Sequence, residues 1–272
     1  MNWAMAKEVG PLRYISRRIF WRMRSYLGRE RISYLLPGGQ RIMLPLHSPF
    51  AADIYCTRGL VDWGSEQLLL AYLQQQNTRG CCYDVGGNMG YYSVLLASAA
   101  DHVFAFEPDA RNHADFLAQG ISGITLVRKA ASDRSGTARF DVSGESTVGH
   151  LSQEAVSADN IEVETITLDE FRRSRPADER VSAVKMDIEG YEIQCLHGAE
   201  QIIEDDRPVF LIEFAIESGR PNSFLALGEF VSSHRYNIYA MIRRPHGRSA
   251  FRTILERTTA EFLPGQDHKM LF

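Results

Sequence analysis

The stretch that decides the fold covers residues 81–107 and reads CCYDVGGNMGYYSVLLASAADHVFAFE. Its first five residues predict a buried strand, the glycines that follow predict a tight turn, and residues 91–100 predict a helix. A second apolar strand then ends at Glu107. Because a strand, a turn, a helix and a further strand in this order form a βαβ unit, the stretch predicts an α/β fold.

The same alternation of strands and helices continues beyond this unit. Further strands are predicted at residues 123–130, 181–186, 208–214, 236–241 and 269–272. Helices are predicted at residues 110–118, 191–203 and 222–233. Together with the two strands of residues 81–107, they predict a doubly wound, seven-stranded and mostly parallel sheet of the Rossmann-like kind, with its ligand at the carboxyl ends of the strands.

One region interrupts this alternation. Residues 137–142 and 161–166 alternate like solvent-facing strands, and the Ser- and Gly-rich residues 144–158 lie between them. We expect an inserted hairpin or loop there that helps to shape a substrate pocket.

The N-terminal 57 residues are predicted as a helix and hairpin extension of a domain that covers residues 58–272. Strand-like residues 32–36 and 41–44 flank the turn Pro-Gly-Gly-Gln, and residues 64–76 predict a helix that leads into the core. The preceding helix is amphipathic and rich in arginine, at positions Arg13, Arg17, Arg18, Arg22, Arg24, Arg29 and Arg31. Such a helix is typical of contact with anionic lipid or an acidic partner, and the simpler alternative is that its apolar stripe packs on the domain.

The overall composition narrows the class of protein. A net charge of -4 gives no general attraction for nucleic acid, so no nucleic-acid partner is expected. The four cysteines show no CxxC spacing, which favours reduced thiols and a cytoplasmic location. No run approaches the ~18 apolar residues of a membrane-spanning helix, so we expect a soluble protein.

Asp84 and Glu107 indicate the kind of ligand that the glycine turn binds. Glu107 ends the strand after the turn, where an acid accepts hydrogen bonds from ribose hydroxyls. A dinucleotide fingerprint beginning at Gly86 would need glycine where Asn88 and Tyr91 stand. The Asp84 carboxylate would also repel a pyrophosphate, whereas S-adenosylmethionine (SAM) has an ammonium and a sulfonium and no phosphate. The residues therefore favour SAM as the ligand.

Six segments in fixed order also resemble one known family, the FkbM family of SAM-dependent methyltransferases. They read DVGGNMGYYSVLLA, FAFEPDARN, KAASDRSGTARF, TLDEF, KMDIEGYEIQCLHGAEQII and RPVFLIEF, within roughly residues 58–215. Gly87 stands where an alanine is common, and the first strand lacks the usual β-branched run.

The resemblance implies a set of residues that bind the cofactor. The methionine end of SAM would be held by Asp84, Gly86, Gly87, Asn88 and Gly90. Glu107 with the adjoining Pro108 would hold the ribose, and Ala131 and Ser132 would flank the adenine. Tyr91 is a candidate for facing the sulfonium, where a cation–π contact contributes ~0.5–2 kcal/mol.

The candidate catalytic residues follow the strand predicted at residues 181–186. Asp187 and Glu189 are candidate bases that would take a proton from an acceptor hydroxyl, and Asp187 would also lie beside the cofactor. Lys185 alternates with Asp187 along the strand and would pair with a carboxylate or steady an anionic acceptor. His150, in the irregular insert, is a further candidate base. Alternatively, the two acids cap the next helix.

These residues predict a methyltransferase that acts on a hydroxyl of a small molecule, and no metal is expected. The family resemblance implies a sugar, a polyketide-type intermediate or another natural-product or glycan precursor as the acceptor. Two alternatives are N-methylation of a small molecule or protein, which needs no strong base, and a non-catalytic SAM-fold module.

Overall fold

The computed structural model describes residues 9–62, 64–76, 80–142, 150–151, 160–213, 223–246, 250–258 and 270–271. The N-terminal elements are α1 (Pro11–Tyr26), β1 (Arg31–Leu35), β2 (Arg41–Pro45), α2 (Pro49–Thr57) and α3 (Ser65–Gln75). The βαβ unit comprises β3 (Cys81–Val85), α4 (Tyr91–Leu96) and β4 (His102–Phe106). The middle of the chain forms α5 (Ala110–Leu117), β5 (Ile124–Val127), β6 (Ala130–Ala131), β7 (Gly136–Asp141), β8 (His150–Leu151), β9 (Asn160–Ile166) and α6 (Leu168–Arg173). The C-terminal part forms β10 (Val181–Met186), α7 (Glu192–His197), α8 (Glu200–Asp205), β11 (Val209–Glu213), α9 (Ser223–Ser233), β12 (Ile238–His246), β13 (Ala250–Thr258) and β14 (Met270–Leu271).

The main sheet has the strand order β13-β12-β14-β11-β10-β3-β4-β5. Its five strands from β11 to β5 run parallel, which confirms the predicted parallel α/β core. The short β14 lies between β11 and β12 and is antiparallel to both. From β3, the chain first builds the sheet in one direction, through β4 and β5, and later in the other, through β10 and β11. The carboxyl ends of β3 and β10 therefore form the crevice where α/β sheets bind ligands.

The described residues give this sheet eight strands, and the predicted number of seven is therefore wrong. The additional strand is β13, and β12 extends to residue 246, beyond its predicted end at 241. The two pair antiparallel along nine residues each. The sequence Arg-Arg-Pro-His at residues 243–246 has no apolar alternation, and backbone pairing in an edge hairpin does not require one.

A smaller sheet with the order β6-β9-β7-β8 takes up the middle of the chain. The strand predicted at residues 123–130 is divided between the two sheets, with β5 in the large one and β6 in the small one. Residues 143–149 and 152–159, most of the predicted insert, lie outside the described part. The predicted helix at 191–203 is also divided, into α7 and α8. Gly198 lies at this break, where a Cβ atom would stand 2.1 Å from the Ser132 carbonyl oxygen.

Helices cover both faces of the main sheet. Cys82, Val103 and Ala183 belong to a hydrophobic cluster with α3, α4 and the N-terminal elements. The residues that alternate with these along the strands, including Tyr83 and Val184, point to the other face and join a second cluster with α7, α8 and α9. Because the first cluster continues into α1, β2 and α2, the predicted domain boundary at residue 57 crosses a shared core, and the two-domain division stays a prediction.

Candidate functional site

The turn after β3, residues 86–90, is fixed by backbone contacts on both sides. The amides of Gly86 and Gly87 both donate to the Phe106 carbonyl oxygen, at 3.0 and 3.1 Å. Gly86 has a φ of 81°, and a Cβ atom there would stand 1.9 Å from the Asp187 carbonyl oxygen. Glycine is therefore required at position 86, because the backbones of the two strand ends are in contact. Hereafter we call residues 86–90 the β3 turn and residues 187–190 the β10 turn.

Glu107 is buried and holds the β3 turn in place. Its Oε2 accepts a hydrogen bond from the Asn88 amide at 2.7 Å, and its Oε1 accepts one from the Asp109 amide at 2.8 Å. Burial raises the pKa of Glu107 to about 7, against these hydrogen bonds, which lower it. Each carboxylate oxygen has a second lone pair, so Glu107 can still accept bonds from a ligand. Pro108 follows it at a half-buried position.

Asp84 is fully buried one residue before the end of β3. Its Oδ2 accepts a hydrogen bond from the Ser93 hydroxyl at 2.5 Å. Its Oδ1 has no hydrogen-bond partner among the described residues, and the Lys185 ammonium lies 3.9 Å away. Burial raises the pKa of Asp84, while Lys185 opposes this shift. A buried oxygen without a donor is costly, and this observation indicates that a donor from a ligand belongs here.

Lys185 connects the two strand ends. It is Asp84's register partner across β3 and β10, and its ammonium lies 3.3 Å from the Asp187 Oδ2 and 4.9 Å from the centre of the Tyr92 ring. Burial alone lowers the pKa of Lys185, but the Asp187 and Asp84 carboxylates outweigh it, so the pKa lies above its ordinary value. Lys185 is therefore a buried cation that compensates two acids.

The β10 turn is more open than the β3 turn. The Asp187 side chain is 33% exposed, and Glu189 is half-buried with a φ of 52°. A left-handed backbone at a non-glycine residue is uncommon and costs of order 1–3 kcal/mol, which makes Glu189 a candidate functional residue. Helix α7 begins after Tyr191, whose side chain makes no capping hydrogen bond, and the alternative that Asp187 or Glu189 caps this helix stays a prediction.

Tyr91, the residue expected to face the sulfonium, is buried in the core. Its side chain is 2% exposed, and its hydroxyl donates to the Gly59 carbonyl oxygen at 2.8 Å and to Glu66 at 3.2 Å. Its ring packs edge-on against Phe50 of α2. Tyr92, the next residue, is the tyrosine that contacts Lys185.

The sequence interpretation missed a polar network between α3 and α4. The Tyr92 hydroxyl donates to Asp62 at 2.8 Å and lies 2.9 Å from the Ser65 hydroxyl. Glu66 is 1% exposed and accepts bonds from the Asp62 and Gly64 amides, and burial raises its pKa to about 7. The sequence could have indicated that Glu66 is buried, because it lies at helical spacing from the buried Leu69 and Leu73.

The remaining predicted site residues lie at the small sheet. Ala131 ends β6, and the buried Ser132 follows it, with its hydroxyl donating to Asp133 at 3.1 Å. A cavity beside Ser132 is lined by Arg134 of the loop before β7 and by residues of β7, β8, β9 and α7, among them Leu151 and Gln194. His150 pairs with Asp141 through the backbone of β8, and its side chain lies outside the described part.

The charges of the described site fit SAM and not a nucleotide with phosphates. Asp84, Glu107 and Asp187 surround the two turns, and Lys185 is the buried cation between them. An excess of acids, together with the unpartnered Asp84 Oδ1, suits a ligand with an ammonium and a sulfonium. Within the described ranges, no group of three or more His, Cys, Asp or Glu side chains has the arrangement of a metal site. No helix of that part is long and apolar enough to cross a bilayer.

Three solved structures illustrate what the chain is similar to. A methyltransferase FkbM from Methylobacillus flagellatus KT is 18% identical, with 76% of this chain and 54% of that chain covered and a TM-score of 0.43. A SAM-dependent methyltransferase from Agrobacterium tumefaciens is 10% identical, with 85% and 71% covered and a TM-score of 0.46. An rRNA methylase from Streptococcus thermophilus is 15% identical, with 70% and 94% covered and a TM-score of 0.39. These TM-scores are below 0.5, so the likenesses carry no argument about substrate.

Membership of a family rests on the sequence itself. The chain spans about half the length of the Methylobacillus protein, and a comparison with curated proteins gives no match. The model of the methyltransferase FkbM domain, however, matches residues 84–238, which is more than half of the chain and includes both turns. The chain therefore belongs to the FkbM family of SAM-dependent methyltransferases.

Proposed function

We propose that this methyltransferase transfers the methyl group to a hydroxyl of a small molecule, at the carboxyl ends of β3 and β10. The acceptor class is a sugar, a polyketide-type intermediate or another natural-product or glycan precursor. The proposed acceptor is not a nucleic acid, in agreement with the net charge of -4.

One observation carries the proposal: a half-exposed carboxylate stands directly beside the glycine turn. The Asp187 carbonyl oxygen is packed against Gly86, so the β10 turn and the β3 turn are in backbone contact. The Asp187 side chain is open to solvent, whereas Asp84 and Glu107 are buried. A base that meets an incoming acceptor has to be reachable, and the acids of the β10 turn meet this condition.

The proposed cofactor residues divide by the part of SAM that they bind. The Asp84 Oδ1 and the β3 turn, residues 86–90, bind the methionine end, and Glu107 accepts bonds from the ribose hydroxyls. Pro108 adjoins Glu107 at the ribose, and Ala131 and Ser132 border the adenine. We leave Tyr91 out, because its hydroxyl is already bonded to Gly59 and Glu66 in the core.

When bound, SAM would supply a methyl group activated by a positively charged sulfur, which leaves as a neutral thioether with the electron pair of the broken carbon–sulfur bond. Asp187 or Glu189 takes the proton of the acceptor hydroxyl as the carbon–oxygen bond forms, a contribution of ~10²–10⁴-fold. Lys185 keeps Asp187 in position through their contact at 3.3 Å. The protein otherwise acts by positioning, which accounts for up to ~7–11 kcal/mol of the barrier. His150 is kept as a weaker candidate base.

The test is a methylation assay of the full chain with SAM that has an isotope-labelled methyl group. Matched panels of hydroxyl-bearing and amine-bearing sugars serve as acceptors, and mass spectrometry locates the label. We expect label on oxygen and a loss of turnover of ~10²-fold or more in Asp187→Asn or Glu189→Gln. Glu204→Gln, an exposed acid on α8, is the matched control and should keep full turnover.

Two outcomes would overturn this assignment. Full turnover in both acid variants would remove the general base, because nitrogen acceptors need none. Label found only on amines would establish N-methylation directly.

A further inference from the structure

Helix α1 has one face that holds it to the protein. Tyr14 and Trp21 are buried, at 1% and 5% exposure, and the Trp21 ring packs against Tyr55 of α2. Arg17 donates to the Tyr55 carbonyl oxygen at 2.7 Å and stacks on the Tyr55 ring. Arg18 lies 3.4 Å from Asp53. These contacts fix the rotation of the helix about its own axis.

The opposite face is apolar and faces solvent. Its large exposed side chains are Leu12, Ile19, Phe20, Met23 and Tyr26, together with Leu27 just beyond the helix. Their exposed fractions run from 44% for Phe20 to 89% for Tyr26. At about 100° per residue they fall within one sector, roughly opposite to Tyr14 and Trp21. The simpler expectation, that the apolar stripe packs on the domain, holds only for the narrow inner face.

Arginines border this exposed stripe on both sides. By the same helical spacing, Arg13 and Arg24 lie along one edge, and Arg18 and Arg22 lie along the other. The helix contains no acidic residue. Within the described ranges, Arg13, Arg22 and Arg24 form no ion pair, and Arg24 stacks on the Phe20 ring at 4.5 Å. No acid of the described part therefore neutralises their charges.

We propose that α1 docks this protein onto an anionic lipid surface, lying parallel to the membrane with its exposed stripe in the headgroup and acyl boundary. The charge pattern favours lipid over a protein groove, because arginines along both edges of an apolar stripe would stand level with two rows of lipid phosphates. Such helices need both an apolar face and basic residues, and α1 presents the two on a rigid support. The inference is independent of the methyl acceptor.

The test is flotation of the full chain with vesicles of phosphatidylcholine alone and of phosphatidylcholine mixed with phosphatidylglycerol. We expect binding to the mixed vesicles only. The triple variant Ile19→Ser, Phe20→Ser, Met23→Ser should reduce binding ~10-fold or more, and so should Arg13→Gln, Arg22→Gln, Arg24→Gln. These side chains are on the exposed face, so the variants should keep the fold.

A matched control and a second measurement make the result decisive. Leu117→Ser removes an equally exposed leucine, at 56%, from α5 and should leave vesicle binding unchanged. No binding of the wild type to mixed vesicles would overturn the proposal. So would a concentration-dependent dimer in analytical ultracentrifugation that the triple apolar variant dissolves, since the stripe would then be a contact between two copies.

Discussion

The β3 turn and the β10 turn lie side by side, and both have acidic residues near them, but these acids differ in burial. Around the β3 turn, the acids are buried. Asp84 accepts a hydrogen bond from the Ser93 hydroxyl, and Glu107 accepts hydrogen bonds from two backbone amides. In the β10 turn, the acids are half-buried, and Asp187 reaches solvent. Both turns contain a left-handed non-glycine residue, Asn88 with φ 46° and Glu189 with φ 52°.

This difference distinguishes acids that fix the backbone from acids that a substrate can reach. A buried acid that accepts several hydrogen bonds sets the path of the backbone, and its removal is felt by the fold. A partly exposed acid on a strained turn contributes less to stability and can be reached by a substrate. Substitutions at the β3 turn should therefore alter folding and cofactor binding, whereas those at the β10 turn should alter turnover.

The largest expected effect is on Gly86. In Gly86→Ala, the new Cβ would meet the Asp187 carbonyl oxygen at 1.9 Å, so the two turns must separate. We expect a loss of ~4 kcal/mol or more in the free energy of unfolding, measured by urea denaturation. Gly120→Ala is the control, because Gly120 also has a positive φ, of 60°, but has no atom within 4 Å of its built Cβ; it should lose only ~1–2 kcal/mol. Equal losses in the two variants would show that the turns are not in contact.

The next largest loss of stability is expected on substitution of Lys185. Lys185→Met leaves the buried Asp84 without its cation and should cost ~3–5 kcal/mol. Adding Asp84→Asn should restore part of that loss, because the uncompensated charge is removed. Asp187→Asn should cost less than Lys185→Met, since the Asp187 side chain is 33% exposed and Asp84 still lies near the ammonium. If the double variant is no more stable than Lys185→Met, the pairing of Lys185 with Asp84 is not what stabilises the strand ends.

The pH dependence of stability should report on Glu107. Because its pKa in the fold, about 7, is above the ordinary value of 4.5, the stability it contributes is fully present below about pH 4.5 and is lost as the pH rises through 7. Between pH 5 and pH 8, the unfolding free energy of the wild type minus that of Glu107→Gln should fall by about 2–3 kcal/mol. A flat difference would mean that the pKa of Glu107 in the fold is ordinary, and a rising difference would mean that it is lowered; either result contradicts the raised pKa.

The smallest effect on stability is expected at Glu189. Glu189→Gly relieves a left-handed backbone, but the greater freedom of glycine in the unfolded chain offsets much of that gain. The net change in the free energy of unfolding should be no more than ~1 kcal/mol, while turnover falls. Arg235→Gly is the matched control, since Arg235 is exposed and has a φ of 57°; it should leave turnover unchanged. Unchanged turnover in Glu189→Gly would show that the strain at the β10 turn has no part in catalysis.

The sequence predicted the centre of the fold better than its edges. The order of apolar strand, glycine turn and apolar strand around Asp84 and Glu107 predicted the position of the β3 turn, because short local patterns determine a βαβ unit. The hairpin of β12 and β13 was not predicted, since pairing at a sheet edge depends on the partner strand and leaves little periodicity. The network of Asp62, Glu66 and Tyr92 joins segments about 30 residues apart, so local spacing showed only that Glu66 lies on a buried face.

The most direct test of the division between the two turns is calorimetric titration of SAM at pH 8, with turnover measured on the same samples. Glu107→Gln should weaken SAM binding ~10–100-fold, because a charged acceptor of the ribose is lost. Glu189→Gln should keep the dissociation constant within ~3-fold and lose ~10²-fold or more in turnover. The opposite pattern, with SAM affinity lost in Glu189→Gln and kept in Glu107→Gln, would contradict the account.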